Sequence, residues 1–208
     1  MPPISKTARF HARYRNRTLE CLLPGSDLLL SAFTIVEEGI RQAIAQRGEI
    51  PICGPGCAAC CHQPIPATTL ELLLLKAYVH HVMPQEQRLV QENVLGKFRG
   101  GKECLTEACP FLHDGRCAVY PVRPIACRQY LIFGHACTLG EDPTLTRPKD
   151  VLRPKYAFMD AALRLTLPWY RQDHDLPERM SPAAARVFFR SVTTLIQAVP
   201  WGLWLQVG

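Results

Sequence analysis

The sequence lacks a hydrophobic run long enough to cross a bilayer. Its longest apolar segments, Leu28–Val36 and Leu70–Val79, are shorter or more interrupted than the about 20 residues that a spanning helix needs. Residues 1–6 lead into a basic stretch instead of an apolar one, which is not typical of a secretory signal. We therefore expect a soluble protein of the cytoplasm, with no membrane span and with thiols kept reduced.

Other features are missing as well. The 208 residues contain no internal repeat, no low-complexity tract and no recognisable glycine-rich nucleotide-binding motif. With 48% hydrophobic and 20% charged residues, the chain is long enough and apolar enough to bury a core without help from cysteines. We expect a basic N-terminal arm at 1–24, a helical metal-binding domain at 25–170, and a C-terminal helix and apolar tail at 171–208 packed on that domain.

Apolar residues recur at helical spacing in several segments, and sustained strand patterns are hard to find. The pattern predicts a mainly α fold, a small helical domain with two cysteine-rich loops that converge on a metal centre. A small hairpin is possible within 109–120, around the turn signal Asp114-Gly115. The predicted helices span 27–47, 68–84, 85–98, 155–167 and 182–198, with a short helix from Pro124.

Capping residues support these boundaries. Ser26 or Asp27 is the expected N-cap of the first helix, and Gly48 ends it. Thr68 and Glu71 form a capping box at the start of the second helix. The last helix is expected to begin with Ser181 as N-cap, followed by a proline at its first position.

The net charge of +6 is partly concentrated in the N-terminal arm, which carries five basic residues: Lys6, Arg9, Arg13, Arg15 and Arg17. Such a cluster is compatible with an anionic partner or with a solvated leader. We favour the leader and do not expect nucleic acid as a partner.

The sequence contains ten cysteines, more than a chain that can bury its own core needs for stability. In a reducing compartment they favour metal binding or redox chemistry over disulfides. The first cluster includes the C-x2-C pair Cys57/Cys60, whose thiolates can converge on one metal while glycines allow tight backbone geometry. The adjacent side chains of Cys60 and Cys61 are expected to diverge. The predicted metal ligands are Cys53, Cys57, Cys60, Cys61, Cys109, Cys117, Cys127 and Cys137.

Charged and imidazole side chains lie close to these cysteines in the sequence. Arg123 and Arg128 bracket Cys127 and are predicted to bind the cofactor by neutralising a thiolate-rich centre, although pairing with ordinary carboxylates is an equal alternative. His62, His113 and His135 are candidate ligands or proton carriers, and each is more simply explained as a bystander.

The combined pattern resembles the YkgJ-type cysteine-cluster family, a zinc- or iron-chelating domain with a C-x3-C-x2-C-C motif. Cys53, Cys57, Cys60 and Cys61 match that motif. The second half of the resemblance consists of Cys109-Pro110-Phe111-Leu112, Gly115-Arg116-Cys117, Tyr120, Arg123-Pro124 and Cys127-Arg128. The resemblance covers about residues 50–137 and implies metal chelation, often as an iron–sulfur protein. A related motif occurs in flagellin lysine methylases, but methyl transfer is not implied without a nucleotide-binding motif.

The kind of metal remains open between two alternatives. Zinc takes four ligands, and eight cysteines could form two zinc sites, but a second C-x2-C pair typical of a zinc ribbon is missing. A 4Fe–4S cluster also takes four thiolates and tolerates irregular spacing, so we favour it. The spacing of Cys53, Cys57 and Cys60 also matches radical S-adenosylmethionine enzymes, but the chain is too short for their barrel.

Three functions fit these residues. The first is an iron–sulfur protein with a redox, iron-sensing or cluster-handling role. The second is a zinc-stabilised interaction module, in which Trp201, Leu203 and Trp204 of the apolar tail dock a protein partner or, more simply, pack on the protein's own core. The third is a metal-dependent protein-modifying enzyme such as a methylase. Cys21 and Cys104 lie outside the motif, and Cys21 is expected to be buried as a small apolar residue.

Overall fold

The computed structural model describes residues 17–54 and 56–206, and this part of the chain is mainly helical. The predicted basic arm lies outside the described residues except for its last members. In chain order the helices are α1 Arg17–Leu22, α2 Ser26–Arg47, α3 Thr69–His81, α4 Gln85–Lys97, α5 Ile125–Gln129, α6 Pro143–Thr146, α7 Tyr156–Leu165, α8 Leu167–Tyr170, α9 Pro182–Ser191 and α10 Trp201–Trp204. Within the described ranges, none of these helices has the length and apolarity that a membrane span requires.

The strands are short and form two antiparallel pairs. They are β1 Pro66–Thr68, β2 Leu112–His113, β3 Arg116–Cys117 and β4 Thr193–Leu195. β2 and β3 form the predicted hairpin, with Asp114 and Gly115 in the left-handed conformation that a tight turn requires. β1 pairs with β4, with Ala67 opposite Thr194.

The long helix α2 begins one residue earlier than predicted, and its N-cap differs from the expected one. Gly25, in the left-handed conformation, occupies the cap position. The buried Ser26 hydroxyl donates instead to the Leu19 carbonyl at 3.3 Å, which ties α2 to α1. Gly48 ends the helix as predicted, donating its N–H to the Ile44 carbonyl at 2.9 Å.

Helix α2 packs closely against α7, and a glycine makes the close approach possible. A Cβ atom at Gly39 would lie 2.6 Å from Cγ of Phe158, so any larger residue would push the two helices apart. Leu29, Phe33 and Val36 of α2 are almost completely buried in the same core. Burial of this apolar stripe is what holds the helix in place.

The capping box at the start of α3 is present as predicted. The Thr68 hydroxyl accepts the Glu71 N–H, and the Glu71 carboxylate accepts the Thr68 N–H at 2.7 Å. Helix α3 ends at His81, before the predicted limit at Pro84, and α4 follows after a short turn and packs against it.

The predicted helix over 182–198 is wrong in its second half. Helix α9 has Ser181 as its N-cap, as expected, but ends at Ser191. The β-branched Thr193 and Thr194 then pair with β1, and a 3-10 turn follows over Ile196–Ala198. Pairing with a partner strand outweighs the local helical pattern at this point.

The C-terminal tail packs partly on the core. Trp201 is fully buried, and its indole N–H donates to the Ile196 carbonyl at 2.9 Å. Helix α10 contacts α4 at a pair of glycines, because a Cβ atom at Gly202 would lie 2.7 Å from the Gly96 oxygen. Leu203 remains 65% exposed. A partner that docks on this tail stays a prediction.

Candidate metal centre

Seven of the eight predicted ligand cysteines line one cavity of about 80 Å³. They come from three separate stretches of the chain. The cysteine cavity is lined by Cys53, Cys57, Cys60, Cys61, Cys109, Cys117 and Cys127, together with Arg123 and mostly apolar side chains that include Ile65, Phe111, Val119, Leu131 and Ile196.

The first cysteine segment is shaped by tight turns. The Cys57 N–H donates to the Gly54 carbonyl at 3.0 Å, and Gly56 adopts a left-handed conformation that a side chain would strain. A 3-10 turn over Ala59–His62 then brings Cys60 and Cys61 to the cavity.

The segment that begins at Cys109 is hydrogen-bonded directly to the segment that ends at Cys61. The Cys109 N–H donates to the Cys61 carbonyl at 2.7 Å, which joins stretches of chain that helices α3 and α4 separate. The β2–β3 hairpin carries Cys117, and helix α5 carries Cys127. The segments of Cys61 and Cys109 therefore meet through a backbone hydrogen bond, and their cysteine side chains line the same cavity.

Cys53 is held by hydrogen bonds to the segment around Ile132. The Ile52 N–H donates to the Ile132 carbonyl at 2.9 Å, and the Ile132 N–H donates in return to the Cys53 sulfur at 3.3 Å. An N–H directed at sulfur stabilises a thiolate. This hydrogen bond lowers the pKa of Cys53, but burial outweighs it and raises that pKa to about 11.

Burial is also the largest influence on the pKa values of Cys109, Cys117 and Cys127. It raises the pKa of Cys109 to about 12 and also raises the pKa values of Cys117 and Cys127. The neighbouring thiols add to this effect, because several negative charges in one cavity repel each other. Without an added cation these groups are therefore protonated at neutral pH.

Cys60 and Cys61 do not diverge as expected. Their sulfur atoms interact, and the hydrogen bond from the Cys61 thiol is the main cause that lowers the pKa of Cys60 to about 7. The same hydrogen bond raises the pKa of Cys61. Both cysteines lie in the 3-10 turn Ala59–His62, and both line the cavity.

The two arginines predicted to bind the cofactor occupy different surroundings. Arg123 lines the cysteine cavity, stacks on the Tyr120 ring at 3.8 Å, and lowers the pKa values of Cys60 and Cys117. Arg128 is 1% exposed, and its guanidinium pairs with Glu37 at 2.5 Å. The carboxylate alternative is thus observed for Arg128, and a role of either arginine toward a cofactor stays a prediction.

Glu71 is a site residue that sequence reasoning identified only as a helix cap. Its carboxylate is buried, and one oxygen accepts the Ile125 N–H at 2.7 Å while the other accepts the N–H and hydroxyl of Thr68. Burial raises its pKa, and these hydrogen bonds together with Arg128 act in the opposite direction. Glu71 thus joins the start of α3 to the helix that carries Cys127.

Cys137 is the one predicted ligand that does not line the cavity. Its sulfur accepts a hydrogen bond from Arg147 at 3.3 Å, and Arg147 is also paired with Glu141 at 2.7 Å. His113 and His135 are exposed, and no histidine is among the described residues that line the cavity. Over the described ranges, no three His, Cys, Asp or Glu side chains are grouped closely enough to hold an ion.

The two cysteines outside the motif differ from each other. Cys104 is buried, and its thiol donates to the Gly100 carbonyl at 3.3 Å. Cys21 is exposed, so the prediction of its burial is wrong. Helix α1 buries Leu19, and a residue two positions further along a helix points away from that face.

The fold and the cavity define a mainly helical protein with a group of thiols around one cavity. Residues 52–145 match the model of the CxxCxxCC family, described as a "putative zinc- or iron-chelating domain". The match contains all eight predicted ligand cysteines and confirms the family that the sequence resembles. Neither the curated proteins nor the solved structures contained a match to the chain.

The family name and the chain differ at one point. The name spells two residues between the first and second cysteines, whereas this chain has three, Gly54, Pro55 and Gly56. The remaining spacing, Cys57 to Cys60 and Cys61, agrees with the name. The added length falls in the turn that is closed by the hydrogen bond from Cys57 to Gly54.

Proposed function

We propose that the cysteine cavity holds an iron–sulfur cluster, of the 4Fe–4S type, and that the protein has a redox, iron-sensing or cluster-handling role. The observation that carries this proposal is the convergence of seven thiols from three chain segments on one cavity. The family match supports the coarser statement that the domain chelates zinc or iron.

The chemistry of the donors narrows the choice of metal. Among the described residues that line the cavity, sulfur is the donor of every candidate ligand, with no carboxylate or imidazole. Thiolates favour zinc and iron–sulfur clusters, whereas magnesium and calcium favour oxygen ligands. Seven thiols exceed the four ligands of one zinc ion and equally the four of one 4Fe–4S cluster, so our choice of a cluster is based on the irregular cysteine spacing and on the absence of a second C-x2-C pair from the sequence.

The charge balance of the cavity supports a bound cation. Arg123 is the one basic side chain among the described lining residues, so it cannot balance several thiolates alone. Iron or zinc would supply the missing positive charge and would displace the thiol protons. The sulfur atoms would have to move closer together for this, which couples metal binding to local folding.

The protein's own residues would set the environment of the centre. Phe111, Val119 and Ile196 cover the cavity with apolar surface and limit the access of water. Arg123 provides a positive charge beside the sulfur atoms. When bound, an iron–sulfur cluster exchanges electrons at a potential that depends on such exposure, charge and hydrogen bonding.

Anaerobic purification, followed by metal analysis and absorption spectroscopy, tests the proposal. We expect a brown protein that absorbs near ~400 nm and contains iron and acid-labile sulfide. Cys57→Ser should lower the iron content, whereas Cys21→Ser, on the exposed face of α1, should leave it unchanged. A colourless protein with stoichiometric zinc would contradict the cluster and support the zinc-stabilised alternative.

A further inference from the structure

A groove of about 510 Å³ runs beside the cysteine cavity. Its volume lies in the range of sites that take small organic ligands. Both apolar and polar side chains line it. The groove is lined by Gln63, Pro64, Ile65, Pro66, Gln129, Tyr130, Thr144, Val151, Leu152, Arg153 and Pro154, as well as Cys60, Ala126 and Cys127.

The groove and the cysteine cavity share part of their walls. Cys60, Cys127, Ile65 and Tyr130 line both of them. A molecule in the groove would therefore contact the two sulfur-bearing residues from outside the cavity. None of the proposed roles of the cysteines requires a groove of this size.

Two side chains that line the groove, Arg153 and Gln129, have polar groups that are available to a ligand. Arg153 is exposed, and no described carboxylate lies within ion-pair distance of its guanidinium. The amide of Gln129 makes no hydrogen bond with the described residues. No acidic residue is among the described residues of the lining, and nearby Asp142 is already bonded to Thr144 and to the Tyr130 hydroxyl.

We propose that this groove binds a small organic carboxylate, with its charged group paired to Arg153 and its apolar body against the wall that ends at Cys60 and Cys127. Arginine matches a carboxylate in both charge and geometry. Val151, Leu152 and Pro154 supply the apolar contact, and Gln129 offers hydrogen bonds for orientation. The ligand would lie next to the proposed metal centre, in a position to regulate or to use it.

Fluorine NMR of the purified protein tests this inference with a matched pair of probes, para-fluorophenylacetate and its neutral amide. We expect the carboxylate to bind and the amide to bind about ten-fold more weakly, because only the carboxylate forms a charge-assisted pair. Arg153→Gln should remove the difference between the two probes. Arg190→Gln, an exposed arginine on α9, should leave it unchanged.

A second groove provides the sharpest control, because Arg153 also lines it together with Arg47 and Lys149. Lys149 does not line the first groove. If Lys149→Gln weakens binding as much as Arg153→Gln does, the carboxylate lies in the second groove and the inference is wrong. Equal binding of both probes by the unchanged protein would also overturn it.

A final measurement places the ligand relative to the metal and rests on the proposed function. The protein is reconstituted anaerobically with iron and sulfide and then reduced, and the unpaired electron spin of the reduced centre should broaden the fluorine signal of the bound carboxylate. A bound carboxylate whose signal stays sharp in the reduced, iron-loaded protein would overturn the shared-wall position. Failure to take up iron would instead count against the proposed metal centre, while the metal-free titrations would still decide on the groove.

Discussion

The packing of α2 against α7 and the walls of the cysteine cavity are stabilised in different ways. The helix pair rests on apolar burial, with Leu29 and Phe33 each 1% exposed and a glycine at the closest approach. The cavity walls are short turns, short strands and the five-residue helix α5, joined by a few buried polar contacts. The helix pair should therefore be insensitive to metal, and the cavity should depend on it.

The largest effect is expected from a cavity-creating change in the helix pair. Leu29→Ala should lower the free energy of unfolding by about 2–5 kcal/mol, because it removes buried apolar volume. Urea denaturation, performed with and without bound metal, measures this loss. The same loss in both forms is expected, and a loss confined to the metal-bound form would show that the two regions are not separate.

A smaller effect is expected from Glu71→Gln, which keeps the shape but replaces one acceptor by a donor. Three donor groups face the carboxylate, so at least one would be left without a partner, at a cost of about 1–3 kcal/mol. Because Glu71 bonds the first residue of α5, the variant should also bind metal more weakly than the parent protein.

Glu38→Gln is the matched control for Glu71→Gln. Glu38 lies on α2 and pairs with Arg41 at the surface, where an ion pair contributes about 0–1 kcal/mol. This control should keep normal metal affinity in a competition assay with a chelator. If Glu71→Gln lowers stability without changing that affinity, Glu71 is a helix cap and does not position Cys127.

Metal uptake should release protons, because burial raises the pKa of Cys53 to about 11 and that of Cys109 to about 12. At neutral pH, each of these thiols that becomes a ligand gives up one proton. The release can be measured with an indicator dye in weak buffer. Cys53→Ser should reduce it by one proton, and Cys21→Ser should not change it.

Raising the pH has opposite consequences for the two forms of the protein. It favours metal binding, but it lowers the stability of the metal-free fold. A thiol whose pKa is higher in the folded than in the unfolded state contributes stability below the ordinary value of 9.0, and this contribution is lost as the pH rises toward about 12. The metal-free protein should thus become less stable from pH 9 to 12, whereas the metal-bound protein should lose metal on acidification. A metal affinity that does not change with pH would exclude protonated thiols as ligands.

The smallest expected effect concerns the loop that carries Cys137. The hydrogen bond from Arg147 is the main cause that lowers the pKa of Glu141 to about 2. Its stabilisation is present above the ordinary carboxyl pKa of 4.5 and is lost as the pH falls toward about 2. Glu141→Gln should flatten the acid side of the melting-temperature profile, with Glu86→Gln as an exposed control.

Local signals in the sequence predicted much of the helical structure. The capping box of Thr68 and Glu71, the stop at Gly48 and the turn at Asp114-Gly115 each depend on a few neighbouring residues. The motif likewise indicated the family and the cysteines that line the cavity. Such features require no knowledge of distant parts of the chain.

The features that the sequence could not predict depend on distant partners. The end of α9 depends on the pairing of β4 with β1, which are far apart in the sequence. The second role of Glu71 depends on the Ile125 N–H, and the burial of Arg128 depends on Glu37 of α2. In each case a tertiary contact decides the outcome, and no local spacing encodes it.

The segment after β4 contacts the cysteine region, although it lies outside the part of the chain that matches the family. Gln197 accepts the Ile65 N–H at 3.1 Å and donates to the Gln63 carbonyl at 2.7 Å, while Ile196 lines the cysteine cavity. These residues lie outside the matched region of 52–145. A fragment cut at those limits would lose the hydrogen bonds that Gln197 makes with Gln63 and Ile65. It would also lose Ile196 from the wall of the cavity. We therefore expect that the matched region does not fold as an independent module, and that its transfer to another protein would require the C-terminal segment as well.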